Sequence, residues 1–498
     1  MNIATILDMA AEAFGDRIGV VCGSQRLSYA ELRNAAHAAA RAITASGAHY
    51  VALLDVNSPA APAAIFGAAY AGVPYVPLNY RLTRAEINEL VERIAPAYLV
   101  VGSDYKALVN RRDDLQVVEC ADFLRLHPEG DAPIPGDDPR AVAVQLFTSG
   151  TTGKPKAAIL RHENLMSYIV GTVEFASAAE DDAIVVTVPP YHIAGISSIL
   201  SSTYACRRMV QLDGFEAKAW RAACRSEKVS NAFLVPTMLG RIVDHLSMTG
   251  EALDLPALKA LAYGGGKMPL TTIQRAMKLF PRVDFTNAYG LTETSSTIAV
   301  LGPEDHRAAA GSTDPKIQRR LGSVGKPGAV EIQVRDESGK VLGAEEAGLI
   351  FVRGPQVSGE YRQQGSQLDA DGWFPTRDRG YLDADGYLFL DGRADDVIVR
   401  GGENISPGEI EDVLLSHPAV ADAAVVAIPD EQWGEGVAAA VVLKEKSKAT
   451  AAELQALVKS LLRSSRVPQQ IVFKDALPYN ELGKVLRRVI RQELQTTH

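Results

Sequence analysis

The sequence predicts an α/β fold, and three observations support that reading. Helix-start signals alternate with short apolar runs of strand length along the first hundred residues. A loop rich in glycine, hydroxyl and lysine, Thr148-Ser149-Gly150-Thr151-Thr152-Gly153-Lys154-Pro155-Lys156, is entered from the mostly apolar run 141–147. The chain also has 498 residues, 47% of them hydrophobic, which exceeds what one core accommodates, so at least two domains are expected.

In chain order, Ser28 and Glu31 form a capping box ahead of Leu32, Ala35, Ala36 and Ala39, which predicts a helix to about Ala45. A second box, Thr83 with Glu86, opens a helix ending near Pro96, and residues 97–101 read as a buried strand. The most apolar stretch, 60–76, is broken by Pro62 and Pro74 and is too short for a bilayer span, so no transmembrane segment is predicted. Residues 131–140, with Pro133, Pro135 and Pro139, read as a surface connection into the strand that delivers the glycine-rich loop.

That loop reads as a phosphate cradle. Two glycines allow a tight turn with N–H groups facing an anion, four hydroxyls add donors, and two lysines add charge. It is not a Walker A loop: Thr148 stands where the first glycine should be, and Pro155 where Ser/Thr should be. Proline followed by Ala157-Ala158-Ile159-Leu160 predicts a return into a second strand, hence a strand-loop-strand flap.

Residues 163–175 are expected to be helical and 183–188 to form a strand that ends before His192. A histidine there serves either the structure or a site. Its position beyond a strand end, followed by Ile193-Ala194-Gly195, favours a place beside a ligand. A further strand, 258–263, runs into Gly264-Gly265-Gly266, which reads as room for a flat ligand. Asn287-Ala288-Tyr289-Gly290-Leu291-Thr292-Glu293-Thr294 offers an aromatic face for a purine, an amide for its amine, a hydroxyl for a phosphate and a hard oxygen suited to Mg²⁺. Two carboxylate-bearing turns follow, Thr376-Arg377-Asp378 and Asp391-Gly392-Arg393. Beyond them Gly401-Gly402-Glu403 leads to Ser406-Pro407, an N-cap with proline at the first helical position. Strands at 420–428 and 437–443, with a helix opened by Thr450 and Glu453, make a second small unit, and the hinge is placed at Asp395. The end carries Leu482-Gly483-Lys484 and an amphipathic tail with Leu486, Val489, Ile490 and Leu494, expected to dock on its own domain.

Net charge is −9 with no basic run, which argues against nucleic acid or an anionic membrane as partner. Cys22, Cys120, Cys206 and Cys224 form neither a C-x-x-C pair nor a metal-ligand spacing, and the start lacks a basic region followed by an apolar core, so a cytoplasmic protein with reduced thiols is expected.

The motifs at 148–156, 287–294, 376–378, 391–393, 401–403 and 484, in this order, resemble those of the adenylate-forming superfamily: acyl-CoA synthetases, adenylation domains and luciferases. The resemblance implies a large N-terminal domain, 1–392, of packed α/β sheets with a β-barrel-like part, and a small mobile α+β lid, 393–498. It implies ATP, Mg²⁺ and CoA as cofactors, with a carboxylic acid activated as acyl-adenylate and transferred to the CoA thiol. A carrier-protein pantetheine is the alternative acceptor, and the oligomeric state is left open. By resemblance Thr148, Ser149, Gly150, Thr151, Thr152 and Lys156 cover the phosphates. Gly264, Gly265, Gly266, Asn287, Ala288, Tyr289, Gly290 and Thr292 surround the adenylate, and Asp378 and Arg393 hold the ribose. Glu293 binds Mg²⁺; Lys484, His192, Thr292 and Glu293 serve catalysis; His192, Ala194 and Gly195 line the acid pocket; and Gly401, Gly402 and Glu403 face CoA.

Two departures stand out. The family usually has Thr-Gly-Asp where this chain has Thr376-Arg377-Asp378, and a small polar residue where Leu482 stands. Ile193-Ala194-Gly195-Ile196 offers no Asp near His192 of the kind that binds an amino group in amino-acid-selecting members, and Ala288 stands where malonate-type members have arginine, so an uncharged aliphatic or aryl acid is the expected substrate.

Overall fold

The computed structural model describes residues 1–127, 130, 133–148, 155–250, 254–479 and 485–495, without the side chain of Asn404. Ser149, Gly150, Thr151 and Thr152 of the loop, Leu482, and Lys484 lie outside the described residues, as does Asp131 of the surface connection.

Two large mixed sheets dominate the N-terminal part. One has nine strands, six of them a parallel run in the order Ile18–Cys22, Arg208–Gln211, Ala183–Val186, Asn231–Leu234, Ala260–Gly264 and Asp284–Leu291. The other has eight, built on the parallel strands Val142–Thr148, Tyr75–Pro77, Tyr50–Leu54, Ala97–Val101 and Leu115–Glu119. Helices Ala4–Phe14, Tyr29–Ser46 and Ala60–Ala71 contribute to the largest apolar core, together with residues of both sheets. Ala60–Ala71 is apolar all round because all but one of its residues are buried, and Pro62 falls in its first turn, where no intrahelical N–H bond is lost. No described helix is long and apolar enough to cross a membrane.

The capping boxes form as read. Ser28 accepts from the Glu31 N–H while Glu31 accepts from the Ser28 N–H at 2.7 Å, and Thr83 with Glu86 repeats the pattern. The helices differ at their ends. The second closes at Glu92, and the one expected over 163–175 spans His162–Thr172. His162 itself is buried, and its Nδ1 accepts from the Ile3 N–H at 3.2 Å, which ties the first helix to the return strand of the loop. Burial, and then the charge of the N-terminal amine, push the His162 pKa from 6.5 down to about 4.

A base neutral in the fold but able to protonate when unfolded stabilises fully above its unfolded pKa, and that stability drains as pH falls toward the folded value. Melting temperature should therefore drop between pH 6.5 and about 4. His162→Gln, which keeps an acceptor, should show a shallower decline over that window. Parallel slopes for the two proteins would refute this assignment.

A four-stranded antiparallel sheet, Glu331–Arg335, Gly348–Arg353, Phe374–Leu382 and Leu388–Arg393, takes the place of the barrel-like part. It is open, and no sheet among the described residues closes into a barrel. A short 3₁₀ turn, Ala394–Asp396, then leads into a separate five-stranded sheet with its own two apolar cores. Ile490 and Leu494 of helix Arg487–Gln495 are buried against that sheet, as the amphipathic pattern predicted, whereas Val489 is half-buried and Leu486, just ahead of the helix, is exposed. Thr450 caps its helix through a capping box with Glu453. Ser406 does not cap: its hydroxyl donates instead to the Asp391 carbonyl, across the connection.

Candidate active site

The glycine-rich loop is a hairpin connection. Strands Val142–Thr148 and Lys156–Arg161 pair antiparallel, and Thr148 faces Lys156 as the last pair before the loop. The Thr148 hydroxyl donates to the Lys156 carbonyl at 3.4 Å. Next to the return strand lies Glu360–Tyr361, with Tyr361 opposite Ala158 and Glu360 opposite Ile159. Arg161 locks this neighbour with a forked pair to Glu360 at 2.8–3.0 Å. The Lys156 ammonium sits 5.4 Å from the centre of the Tyr361 ring.

Tyr361 connects this hairpin to Glu293. Its hydroxyl donates to the Glu293 carboxylate, which is only 8% exposed. Burial first, then the Glu293 charge and the hydrogen bond to it, push the phenol pKa up, against the opposing charges of Arg377 and Arg393. The Glu293 main chain is held as firmly: its carbonyl accepts from the Ser358 and Gly359 N–H groups at 2.9 and 3.1 Å. Gln356 donates to the Thr294 and Thr297 carbonyls, and Ser295 donates to the Gln356 carbonyl. Thr292 stands half-buried at the head of this turn.

A second constellation lies at the junction with the four-stranded sheet. Tyr289 donates to Asp378 Oδ2 at 2.5 Å, and Arg393 Nε lies 3.0 Å from Asp378 Oδ1. Asp378 and Arg393 are cross-strand partners, and Arg393 also donates to the Thr376 carbonyl at 3.1 Å. Burial opposes the charge on Arg393, but Asp378, then Tyr289, Glu293 and Asp396, raise its pKa and keep it a cation. Glu293 and Asp378 thus share one electrostatic neighbourhood.

Asn287 donates its amide N–H to the Ser323 carbonyl at 3.1 Å, so its own carbonyl is the atom left to meet an amine. Gly264 pairs with Ala288, and a Cβ on Gly264 would come within 2.2 Å of the Ala288 carbonyl oxygen. That glycine is needed by strand packing in the first place. Gly290 is likewise confined, since a Cβ there would lie 1.8 Å from the Ser296 carbonyl oxygen, and Gly265 takes φ of 80°. Gly266 follows beside Pro236.

His192 precedes helix Ile193–Tyr204, with Ala194 and Gly195 in its first turn. His192 and Ala194 are partly exposed, and the helix reaches the Glu293 turn through Ser197, which donates to the Ser295 carbonyl at 3.5 Å. Gly401, Gly402 and Glu403 belong to the C-terminal sheet: the Gly401 N–H bonds to the Trp433 carbonyl, and Glu403 pairs with Arg466. No hydrogen bond or ion pair among the described residues joins them to Glu293 or Asp378. The C-terminal helix Pro407–Ser416 instead meets Lys267, beside the three glycines; its ammonium donates to Asp412 at 2.7 Å and to the Gly408 carbonyl at 3.1 Å.

Sequence reasoning did not single out Tyr361 or Gln356. Only a Gly354-Pro355 turn ahead of a short polar segment marks their position, and it carries no chemistry by itself. Among the described residues no three metal-ligating side chains cluster; Glu293 would suit Mg²⁺, which takes one or two carboxylates and fills its shell with water and substrate phosphates.

These features, a glycine-rich hairpin beside a buried glutamate and an aspartate held by tyrosine and arginine, define a nucleotide-handling α/β enzyme. The chain belongs to the AMP-binding enzyme family, part of the adenylate-forming superfamily: it matches that family over residues 7–362, and the AMP-binding enzyme C-terminal domain over 409–484. It is 32% identical to the indoleacetate–CoA ligase of Aromatoleum aromaticum, over 99% of this chain and 98% of that protein. Its fold is similar to the o-succinylbenzoate CoA synthetase of Bacillus subtilis in complex with an acyl-adenylate intermediate (TM-score 0.83, 28% identity, 98% and 97% of the chains). It is also similar to an amide bond synthetase of Marinactinospora thermotolerans (TM-score 0.88, 26% identity, 99% and 100% of the chains).

Proposed function

We propose that this protein is an ATP-dependent, AMP-forming carboxylate–CoA ligase acting on an uncharged aliphatic or aryl acid. The observation that carries the proposal is the pair of clasped carboxylates: Asp378 between Tyr289 and Arg393, and Glu293 under Tyr361, facing one neighbourhood beside the hairpin of Thr148 and Lys156. The CoA ligase relatives support the same class.

The acid oxygen attacks the α-phosphorus of ATP; an O–P bond forms, the bridging P–O bond breaks, and pyrophosphate leaves with the electron pair. Acid and triphosphate are both anions, so positioned positive charge is the main requirement. Asp378 accepts from the ribose hydroxyls, with Tyr289 and Arg393 fixing its carboxylate. Asn287, Ala288, Gly290 and the glycines at 264–266 border the base, and Thr292 donates to a phosphate. Thr148 through Lys156, with Ser149, Gly150, Thr151 and Thr152, cover the leaving group. Glu293 would hold Mg²⁺, which would neutralise phosphate charge. His192, with the N-terminus of helix Ile193–Tyr204, orients the acid beside Ala194 and Gly195, and Lys484 bridges acid and α-phosphate.

In the second half the CoA sulfur attacks the acyl carbon, the bond to AMP breaks, and the thiol proton is released. We place the lid at 393–498 and the hinge at Asp395, in the 3₁₀ turn between the last strand of one sheet and the first of the next. Turning there would bring Gly401, Gly402 and Glu403 to the site. Asp395→Pro should leave adenylation within about threefold and slow thioester formation about tenfold or more, because proline restricts the torsion that must change. Equal losses in both half-reactions, measured with supplied acyl-adenylate for the second, would sink the hinge assignment.

The cytoplasm is the proposed compartment, in keeping with four free cysteines. ATP–pyrophosphate exchange across a panel of carboxylic acids, with mass spectrometry of the product formed with CoA, tests the proposal. Exchange plus acyl-CoA is expected. Exchange without acyl-CoA would favour a carrier-protein pantetheine, and absence of exchange with every acid would defeat the reading.

A further inference from the structure

We infer that Arg377, on the turn that carries Asp378, binds the polyphosphate of ATP and makes the site discriminate ATP from AMP. The inference deepens the ATP-using reading above and rests on it.

Its first support is conformational. On the strand Phe374–Leu382, residues 376–378 bulge opposite the single residue Ile350: Phe351 pairs with Pro375, and Leu349 with Arg379. In that bulge Arg377 has φ of 62°. This is the left-handed region, where glycine is at ease and a side chain is strained. The bulge is well anchored without it, since Thr376 Oγ1 donates to the Ile350 carbonyl at 2.8 Å and accepts from the Asp378 N–H at 3.1 Å. Arginine is thus retained at a position that favours glycine, and strain held near a site points to a role in the site.

The second support is what the side chain does in the fold, which is very little. Thr376 and Asp378 on either side are buried, at 2% and 8% exposure, while Arg377 is exposed. Among the described residues no hydrogen bond or ion pair engages its guanidinium; Asp378 is served by Arg393 and Tyr289. A free guanidinium next to the ribose-binding carboxylate is a fork suited to phosphate.

The third support is location. The positive charge of Arg377 reaches Tyr361, as does that of Arg393, and the Tyr361 hydroxyl donates to Glu293. Arg377 therefore stands near the group formed by Tyr361, Glu293 and Lys156, where the proposed reaction puts the phosphates and their metal. The β- and γ-phosphates distinguish ATP from AMP, so a cation there strengthens binding of ATP and of free pyrophosphate, but not of AMP.

Isothermal titration of the full-length protein with ATP, AMP and pyrophosphate, in parallel for wild type, Arg377→Gly and Arg377→Lys, tests this. Arg377→Gly should melt a few degrees higher, through release of strain, yet bind ATP and pyrophosphate about tenfold more weakly, with AMP unchanged within about twofold. Arg377→Lys, which keeps the charge but not the fork, should bind ATP with an affinity between those of wild type and Arg377→Gly. Equal loss for ATP and AMP, or no loss for ATP, would overturn the inference and leave the nucleotide site standing. A lower melting temperature for Arg377→Gly would also overturn it, because the guanidinium would then be serving the fold. Wild-type protein that bound neither nucleotide would refute the ATP reading itself.

Discussion

In Lys484→Ala, acyl-adenylate formation is expected to fall about 10²–10³-fold, while thioester formation from supplied acyl-adenylate stays within about threefold. The asymmetry follows from charge. Bringing a carboxylate against a triphosphate joins two anions, and the transition state gains most from a cation that touches both. Once the acyl-adenylate exists, the carboxylate charge is gone and the thiol attacks a neutral carbonyl, so the lysine has little left to stabilise. The two half-reactions, timed separately by rapid quench, give the answer. A matched loss in both would mean that Lys484 holds the fold or the lid and does not act on the phosphate.

Glu293→Gln is the other large effect. Glutamine keeps an acceptor for Tyr361, and the carbonyl clasp from Ser358 and Gly359 is main-chain, so the local structure should survive. What disappears is the negative charge that a hard cation requires. Adenylation should drop about 10²-fold at fixed Mg²⁺, with part of the loss recovered as Mg²⁺ is raised. The readout is the Mg²⁺ dependence of the adenylation rate together with the melting temperature. An unaltered Mg²⁺ dependence would remove Glu293 from the metal site, and a collapse in melting temperature would make it a structural residue instead.

Local chemistry made much of this molecule legible before its coordinates. The capping boxes at Ser28, Thr83 and Thr450 involve residues three apart, so pattern and structure are the same statement. Pro155 followed by an apolar run foretold the return strand Lys156–Arg161 for a similar reason. Ser406 shows the limit: it has the cap signature, but the carbonyl of Asp391 offers its hydroxyl a tertiary partner and takes it. Gly264 shows another. Its glycine reads as space for a ligand, while the crowding that demands it comes first from Ala288 on the adjacent strand.

The site was legible in its motifs but not in its assembly. Tyr361 matters because its strand lies against Ala158 and Ile159, two hundred residues earlier in the chain, and because its hydroxyl reaches Glu293. Neither relation leaves a trace in the residues around it. Arg377 was visible as a departure from Thr-Gly-Asp, but that the turn keeps a left-handed backbone despite the arginine is a property of the bulge opposite Ile350. The same holds for Asp378, whose carboxylate is aimed by Tyr289 from another sheet.

The central claim is that a carboxylate of the substrate becomes bonded to the α-phosphorus of ATP. It is tested most directly with an acid from the exchange panel carrying heavy oxygen in its carboxylate, followed through one turnover with ATP and CoA. The account predicts one labelled oxygen in AMP and none in pyrophosphate. Label in inorganic phosphate, or AMP free of label beside a labelled acyl product, would contradict it.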